Sequence, residues 1–189
     1  MESFKSFLLK IHQVDDSVLN QYISLWKEIS VSKKQTLTVP GQIEKHLYFV
    51  ISGIQKSYYL HGNKEHIIAF AYAPSFSGIP ESFFTQTPSR YYLESITDAR
   101  LLRIPYEHHE QFMKEHREIE TLFRKTAEFF LNGVIQRQHE IMALDMEDRF
   151  KVFVKRSPHL LQLLPQKDIA SYLRIDPTNF SKLINRIHI

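Results

Sequence analysis

From Ser3 to Glu28 the apolar residues Phe4, Phe7, Leu8, Ile11, Val14, Leu19, Tyr22, Ile23 and Trp26 recur every three or four positions, a spacing that predicts one or two short amphipathic helices. From about Ser30 to Pro105 the period shortens. Leu47–Ile51, Ser57–Leu60, His66–Phe70, Arg90–Ser95 and Leu101–Ile104 are short runs rich in β-branched and aromatic residues, the residue types that fit a pleated sheet. Between them stand Pro40-Gly41, Ser52-Gly53, Gly62-Asn63, Ser77-Gly78 and Thr97-Asp98, all turn formers. Strands of this length, joined by hairpin-like connections and with no helices between them, predict an all-β barrel or jelly roll.

From Tyr106 to the end the chain reads as helical, and Gly133 is its only glycine there. The stretch Glu115–Leu144 carries two adjacent apolar stripes: Ile119, Leu122, Phe129 and Gly133 in one, and Phe123, Ala127, Phe130, Val134 and Ile141 in the other. An arc that wide has to be covered, either by the rest of its own chain or by a second copy. The second option makes Phe123, Ala127, Phe130, Val134 and Ile141 a homodimer interface. A hinge is expected around Ala143–Asp148. The division that follows is a β-roll over 1–114, a long helix over 115–144 and a C-terminal helical domain over 145–189.

Composition narrows the chemistry more than the fold. With 43% hydrophobic and 24% charged residues among 189, the chain can bury a real core and is neither low-complexity nor broadly disordered. It has no cysteine, which removes disulfides, thiolate metal sites and cysteine nucleophiles together. The longest apolar runs, such as Ile67–Ala73, fall far short of the roughly 20 residues a spanning helix needs, and Met1-Glu2-Ser3-Phe4-Lys5 does not open a signal peptide. A cytoplasmic location with no membrane partner is the expectation.

The formal net charge of +3 hides an asymmetry. Residues 149–189 hold 8 Lys/Arg against 2 Asp/Glu, whereas residues 1–148 hold 16 against 19. A basic segment on a mildly acidic body fits a polyanion partner, because cations that meet phosphates release condensed counterions. A merely solvated basic face is the alternative.

Within that segment lies the strongest local pattern, Gln166 to Leu183. Ile169 and Leu173 are one turn apart, and Ala170 is small enough for a second helix to cross closely. Asp176-Pro177 reads as an N-cap followed by proline at the first helical position, where its missing N–H is harmless. The new helix would turn Phe180, Leu183, Ile184 and Ile187 inward and leave Thr178, Asn179, Lys182 and Arg186 outside. That is a helix-turn-helix, with a plain αα-hairpin as the alternative. Arg174 stands at the turn where glycine is usual, at about 1–2 kcal/mol if its backbone is left-handed. Thr178, Asn179 and Lys182 are the expected base readers, and Ser171, Ser181 and Arg186 the expected phosphate contacts.

A β-roll, a long linking helix and a C-terminal helix-turn-helix together resemble the Crp/Fnr family of bacterial transcription regulators over nearly the whole chain. Leu47-Tyr48-Phe49-Val50-Ile51-Ser52-Gly53 looks like that family's strand and turn near the start of the roll, and Gln166–Lys182 is similar to its DNA-reading element. The resemblance implies an α+β fold: a cyclic-nucleotide-binding-domain-like roll, a dimerisation helix and a winged-helix-like DNA-binding domain. Its implied partners are double-stranded DNA and a second copy of the chain, with RNA polymerase as a candidate, and it implies no enzymatic activity. Pro177, Thr178 and Lys182 occupy positions where well-known members carry Arg, Glu and Arg, so their base preference does not carry over.

The ligand site departs further. Nucleotide-binding members use Phe-Gly-Glu and then Arg-Ser-Ala or Arg-Thr-Ala. This chain has Phe76-Ser77-Gly78-Ile79-Pro80-Glu81-Ser82 and Pro88-Ser89-Arg90-Tyr91-Tyr92. Glu81, Ser82, Ser89 and Arg90 are therefore the effector-site candidates, with cyclic AMP disfavoured and the effector's identity open. An exposed Glu81–Arg90 pair at a loop edge is the alternative. No cofactor is called for. The other function considered is a cupin-like metal-dependent or small-molecule-binding enzyme, which wants His-x-His on one strand. The ten His residues include no such pair, His61 and His66 being five apart and His108 and His109 adjacent, so no metal ligand is assigned.

Overall fold

The computed structural model describes residues 1–186; the inward position expected for Ile187 lies outside them. By packing, the chain divides into two units, residues 1–58 with 69–129, and residues 59–68 with those from Phe130 onward. This division differs from the sequence-based boundaries in two ways. The tip of one hairpin belongs with the C-terminal unit, and the long helix is shared at Phe129/Phe130.

The first unit opens with helices α1 (Glu2–Ile11) and α2 (Asp16–Ser24). The Asp15 carboxylate caps α2 by accepting the N–H groups of Ser17 and Val18, two donors that the first helical turn leaves without partners. Strand β1 (Lys27–Val31) follows after Leu25 and Trp26, so Lys27 and Glu28, the last residues read as helical, lie in sheet. The roll is completed by β2 (Thr36–Thr38), β3 (His46–Ser52), β4 (Ile54–His61), β5 (Lys64–Tyr72), β6 (Ser75–Ser77), the short helix α3 (Pro80–Thr85), β7 (Tyr92–Ser95) and β8 (Ala99–Pro105). One sheet has the order β1-β8-β3-β6 and the other β2-β7-β4-β5.

The near-continuous apolar texture of β3 and β8 has a simple cause: both strands are covered on two faces. Tyr48, Val50 and Leu101 point into the roll with Val31, Ile79, Leu93 and Ala99. Their neighbours Phe49, Leu102 and Ile104 point the other way, into a cluster with Phe4, Leu8, Leu19, Tyr22 and Trp26. The β3–β8 pairing, Tyr48 opposite Arg103 and Phe49 opposite Leu102, keeps the two sets in register. Gly53 makes the turn after β3 possible, since it holds φ +88° and a Cβ there would lie 2.5 Å from the Asp98 carbonyl oxygen.

Helix α4 (Tyr106–Glu115) leads into the long helix α5 (Arg117–Ala143). Ile119, Leu122 and Phe123 from its first turns join the helix-side cluster with Phe112. In the second unit, Leu144 and Asp145 interrupt the helical run, and the Asp145 carboxylate accepts the Asp148 N–H to start α6 (Met146–Arg156). The remaining helices are α7 (Leu160–Leu163), α8 (Gln166–Leu173) and α9 (Pro177–Arg186). Phe150, Phe153, Leu160, Ile169, Leu173, Phe180 and Leu183 are buried there, with Phe150 and Phe180 edge to face at 5.6 Å. Among the described residues no strand follows Pro105, so the wing implied by the family resemblance has no counterpart in them. No helix of the described residues is long and apolar enough to cross a membrane.

Candidate nucleic-acid interface

Helices α8 and α9 are joined by Arg174-Ile175-Asp176. Arg174 adopts φ 56°, ψ 42°, the left-handed conformation expected of the turn position. The cap is closed by the Ile175 N–H donating to the Ala170 carbonyl at 3.0 Å, a helix-ending bond that satisfies an otherwise orphaned acceptor. Asp176 then caps α9 through its carboxylate on the Thr178 N–H at 2.9 Å. Phe180 and Leu183 are buried, as are Ile169 and Leu173 across from them, while Ile184 is half-buried. Thr178, Asn179, Ser181 and Lys182 are all exposed. Alternation of the two sets at helical spacing puts a polar row outside an apolar seam.

Two of the expected phosphate contacts already have partners within the second unit. The Ser171 hydroxyl accepts the Ile67 N–H at 3.0 Å and donates to the Glu65 carbonyl at 2.9 Å, tying α8 to the tip of the β4–β5 hairpin. The Arg186 guanidinium is paired with the Glu147 carboxylate on α6. Glu147 is held below the usual carboxylate range, first by its hydrogen bond from Lys151 and further by Arg186. Hairpin tip and helix pair enclose a groove of about 610 Å³ lined by Lys64, Glu65, His66, Lys167, Asp168, Ser171, Arg174 and Asp176. Nothing local in the sequence announces these pairings, because Ser171 and Ile67 are more than a hundred residues apart.

The dimerisation candidates divide along α5. Ala127, Phe130 and Val134 are exposed, Phe130 at 55%, and Phe129, Leu131, Ile135 and Met142 are further exposed apolar residues of the same helix. Phe123 must be removed from the set: it is 7% exposed and its ring lies 4.5 Å from His109 and 5.4 Å from Phe76, inside the chain's own core. Ile141 is half-buried and lines an inner gap beside Arg137 and Phe153.

In the roll, Glu81 and Arg90 meet. Arg90 Nε donates to Glu81 Oε1 and its terminal nitrogen to Oε2, both at 3.1 Å, in a two-pronged pair with the Arg90 side chain 74% exposed. The exposed pair at a loop edge is thus what the fold builds. Ser82 and Ser89 are buried. Ser82 accepts the Glu44 N–H and donates to the Thr87 carbonyl, and Ser89 bonds the backbone of Tyr91 in both directions. These serines hold loops. Their buried neighbour Glu44, bonded by the Thr38 hydroxyl and the His46 N–H, was not singled out by the sequence; desolvation pushes its carboxyl pKa up.

Histidine chemistry is equally dispersed. His66 stacks on Tyr59 at 5.0 Å with His61 at 6.1 Å. Among the described residues no three His, Asp or Glu side chains come together as a metal site would need. His109 is fully buried, with Nδ1 2.8 Å from the Tyr22 hydroxyl, and burial lowers its pKa to about 4.

Residues 28–116 match the family profile of the cyclic nucleotide-binding domain. No curated protein matches the chain's sequence. The fold is shared with FixK2 from Bradyrhizobium japonicum, at 18% identity over 86% of this chain and 84% of that one with a TM-score of 0.75. It is also shared with a putative Crp/Fnr transcriptional regulator from Eubacterium rectale, at 14% identity over 91% and 82% with a TM-score of 0.72. A third likeness is to the c-di-GMP-responsive global regulator CLP of Xanthomonas campestris, at 16% identity over 91% of both chains with a TM-score of 0.65.

Proposed function

We propose that this chain, which has the fold of Crp/Fnr transcription regulators and a cyclic-nucleotide-binding-type roll, is a homodimeric sequence-specific DNA-binding regulator. The observation that carries the reading is the outer row of α9, where Thr178, Asn179 and Lys182 are exposed above a buried Phe180–Leu183 seam. A helix so placed enters a major groove with its N-terminal half toward base edges. Lys182 has the chemistry for guanine O6 and N7, and Asn179 for a paired contact with adenine. Ser181 sits beside them for a phosphate, and Ser171 and Arg186 join it when they leave the hairpin and Glu147.

Dimerisation follows from the apolar surface around Phe130 and Val134, which a second α5 would cover. Two recognition helices then address half-sites about 34 Å apart. Work on DNA places the protein in the cytoplasm, with RNA polymerase as the partner through which occupancy is read, and requires no catalysis. The roll does not take cyclic AMP in the usual way. Arg90 is already matched by Glu81, and Ser82 and Ser89 are committed to backbone, so a cyclic phosphate would have to displace a carboxylate.

Selection of bound duplexes from a random pool tests the reading. An inverted repeat is expected, and recovery of no sequence preference would refute it. Calorimetry with cyclic AMP should give no tight binding; low-micromolar affinity lost in Arg90→Ala would restore a nucleotide-sensing roll.

A further inference from the structure

Three arginines of the second unit, Arg137, Arg149 and Arg156, line one narrow gap whose described lining includes a single carboxylate, Glu140. On α6, Arg149, Phe153 and Arg156 are spaced i, i+4, i+7 and so share a face; Arg137 and Glu140, i and i+3 on α5, face them across a narrow gap that Tyr172 of α8 closes. The Arg137 guanidinium donates to the Tyr172 carbonyl and lies 3.4 Å from the centre of the Tyr172 ring. Arg156 takes the one lining acid, Glu140. Arg149 is left over: its Nε is buried and has no hydrogen-bond partner among the described residues.

A buried guanidinium N–H without an acceptor, such as Arg149 Nε, is costly, and three cationic side chains around one carboxylate favour an anion beside them. Burial lowers the pKa of Arg137, and Arg156 and Arg174 push the same way against Tyr172 and Glu140. The gap itself has a volume of about 10 Å³, about one water. A larger group would require Arg156, whose side chain is 44% exposed, to move aside.

We propose that the Arg137–Arg149–Arg156 cluster is a binding site for a small phosphate-class oxyanion, separate from the roll. Planar guanidinium forks match such oxygens in pairs, with Arg149 Nε supplying the donor that now lacks a partner. Inorganic phosphate and the phosphoryl group of a small metabolite share this chemistry.

The test is thermal unfolding of the full chain with added sodium phosphate, against sodium chloride at equal ionic strength, with glycerol phosphate as the organic monoester. A concentration-dependent rise of the midpoint by about 2–4 °C is expected for phosphate beyond chloride, lost in Arg149→Gln. Response to phosphate alone identifies the free ion, and a larger response to the monoester identifies a phosphorylated metabolite. Equal effects of phosphate and chloride, or a full response in Arg149→Gln, would overturn the site. If Arg149→Gln does not fold, broadening of the phosphorus resonance of inorganic phosphate by the native chain, reduced in Arg156→Ala, replaces that comparison; no broadening overturns the site. Displacement of the phosphate by a non-specific duplex would assign the cluster to the DNA path and overturn the small-anion proposal. None of these readouts needs an operator, so failure here and failure of sequence-specific DNA binding are separate results.

Discussion

The two halves of α5 use the same kinds of residue for opposite purposes. Ile119, Leu122 and Phe123 are buried against the roll's helices, whereas Phe129, Phe130 and Val134, one to three turns later, are 82%, 55% and 48% exposed. Hydrophobicity along the helix is similar throughout, so the pattern alone could not say where cover from the chain's own core ends. What distinguishes the halves is the supply of partners: Phe112, Tyr22 and Phe76 reach the first half, and an exposed apolar surface is left on the second. Exposed apolar side chains in such number on one helix are the basis of the dimerisation proposed above.

The largest effect should come from breaking the second half. Phe130→Glu with Val134→Glu is expected to give monomers by sedimentation with the roll still folded. Specific DNA affinity should fall to the non-specific level, a drop of roughly 10³-fold or more. An unmodified protein that sediments as a monomer would remove the contrast. Phe123→Ala should do the reverse, lowering unfolding free energy by about 3–5 kcal/mol through a core cavity, without a separate effect on association beyond lost fold; denaturant titration measures it.

A pH titration sharpens the account of the buried half. His109 packs against Phe123 and has its pKa lowered from 6.5 to about 4 by burial. The unfolded chain therefore takes up this proton first as pH falls. The stability tied to neutral His109 is whole above pH 6.5 and is lost between there and about pH 4, at most about 3 kcal/mol. His109→Gln should flatten the stability profile across that interval. An unchanged profile would mean that His109 is not the titrating group.

A smaller effect is expected at Arg186. With Arg186 on the DNA path as proposed, its pairing with Glu147 would compete with phosphate, so Glu147→Gln should tighten DNA binding a few-fold and steepen the dependence of log affinity on log salt by about 0.9. Arg186→Ala should weaken all sequences alike. An unaltered salt slope in both variants would place Arg186 off the DNA path.

How much of this was legible in the sequence follows from distance along the chain. The turn between α8 and α9 was readable because Arg174, Asp176 and Pro177 act on their own neighbours, and the strands were readable from alternating turns and β-branched runs. Helix α3 escaped, since Pro80–Thr85 is too short to show a period. The start of β1 was absorbed into the preceding helix, because Trp26 extends that period by one more position. Partners supplied from far along the chain were not legible. Ser171 is met by the hairpin tip, Phe123 by the aromatic core, and Ser82 and Ser89 by loop backbone, and no local pattern distinguishes such serines from ligand contacts. Glu81 and Arg90 are the exception, because a separation of nine residues suffices to bring the two opposite charges together.

Base reading by the outer row of α9 is what the proposed function rests on. Its most direct test is duplex selection repeated with Asn179→Ala and Lys182→Ala beside the native chain. Each variant should keep the repeat and its spacing but lose preference at one position in each half-site, with about 1–3 kcal/mol of discrimination removed there. An unchanged motif in both variants would show that α9 is not the reading helix.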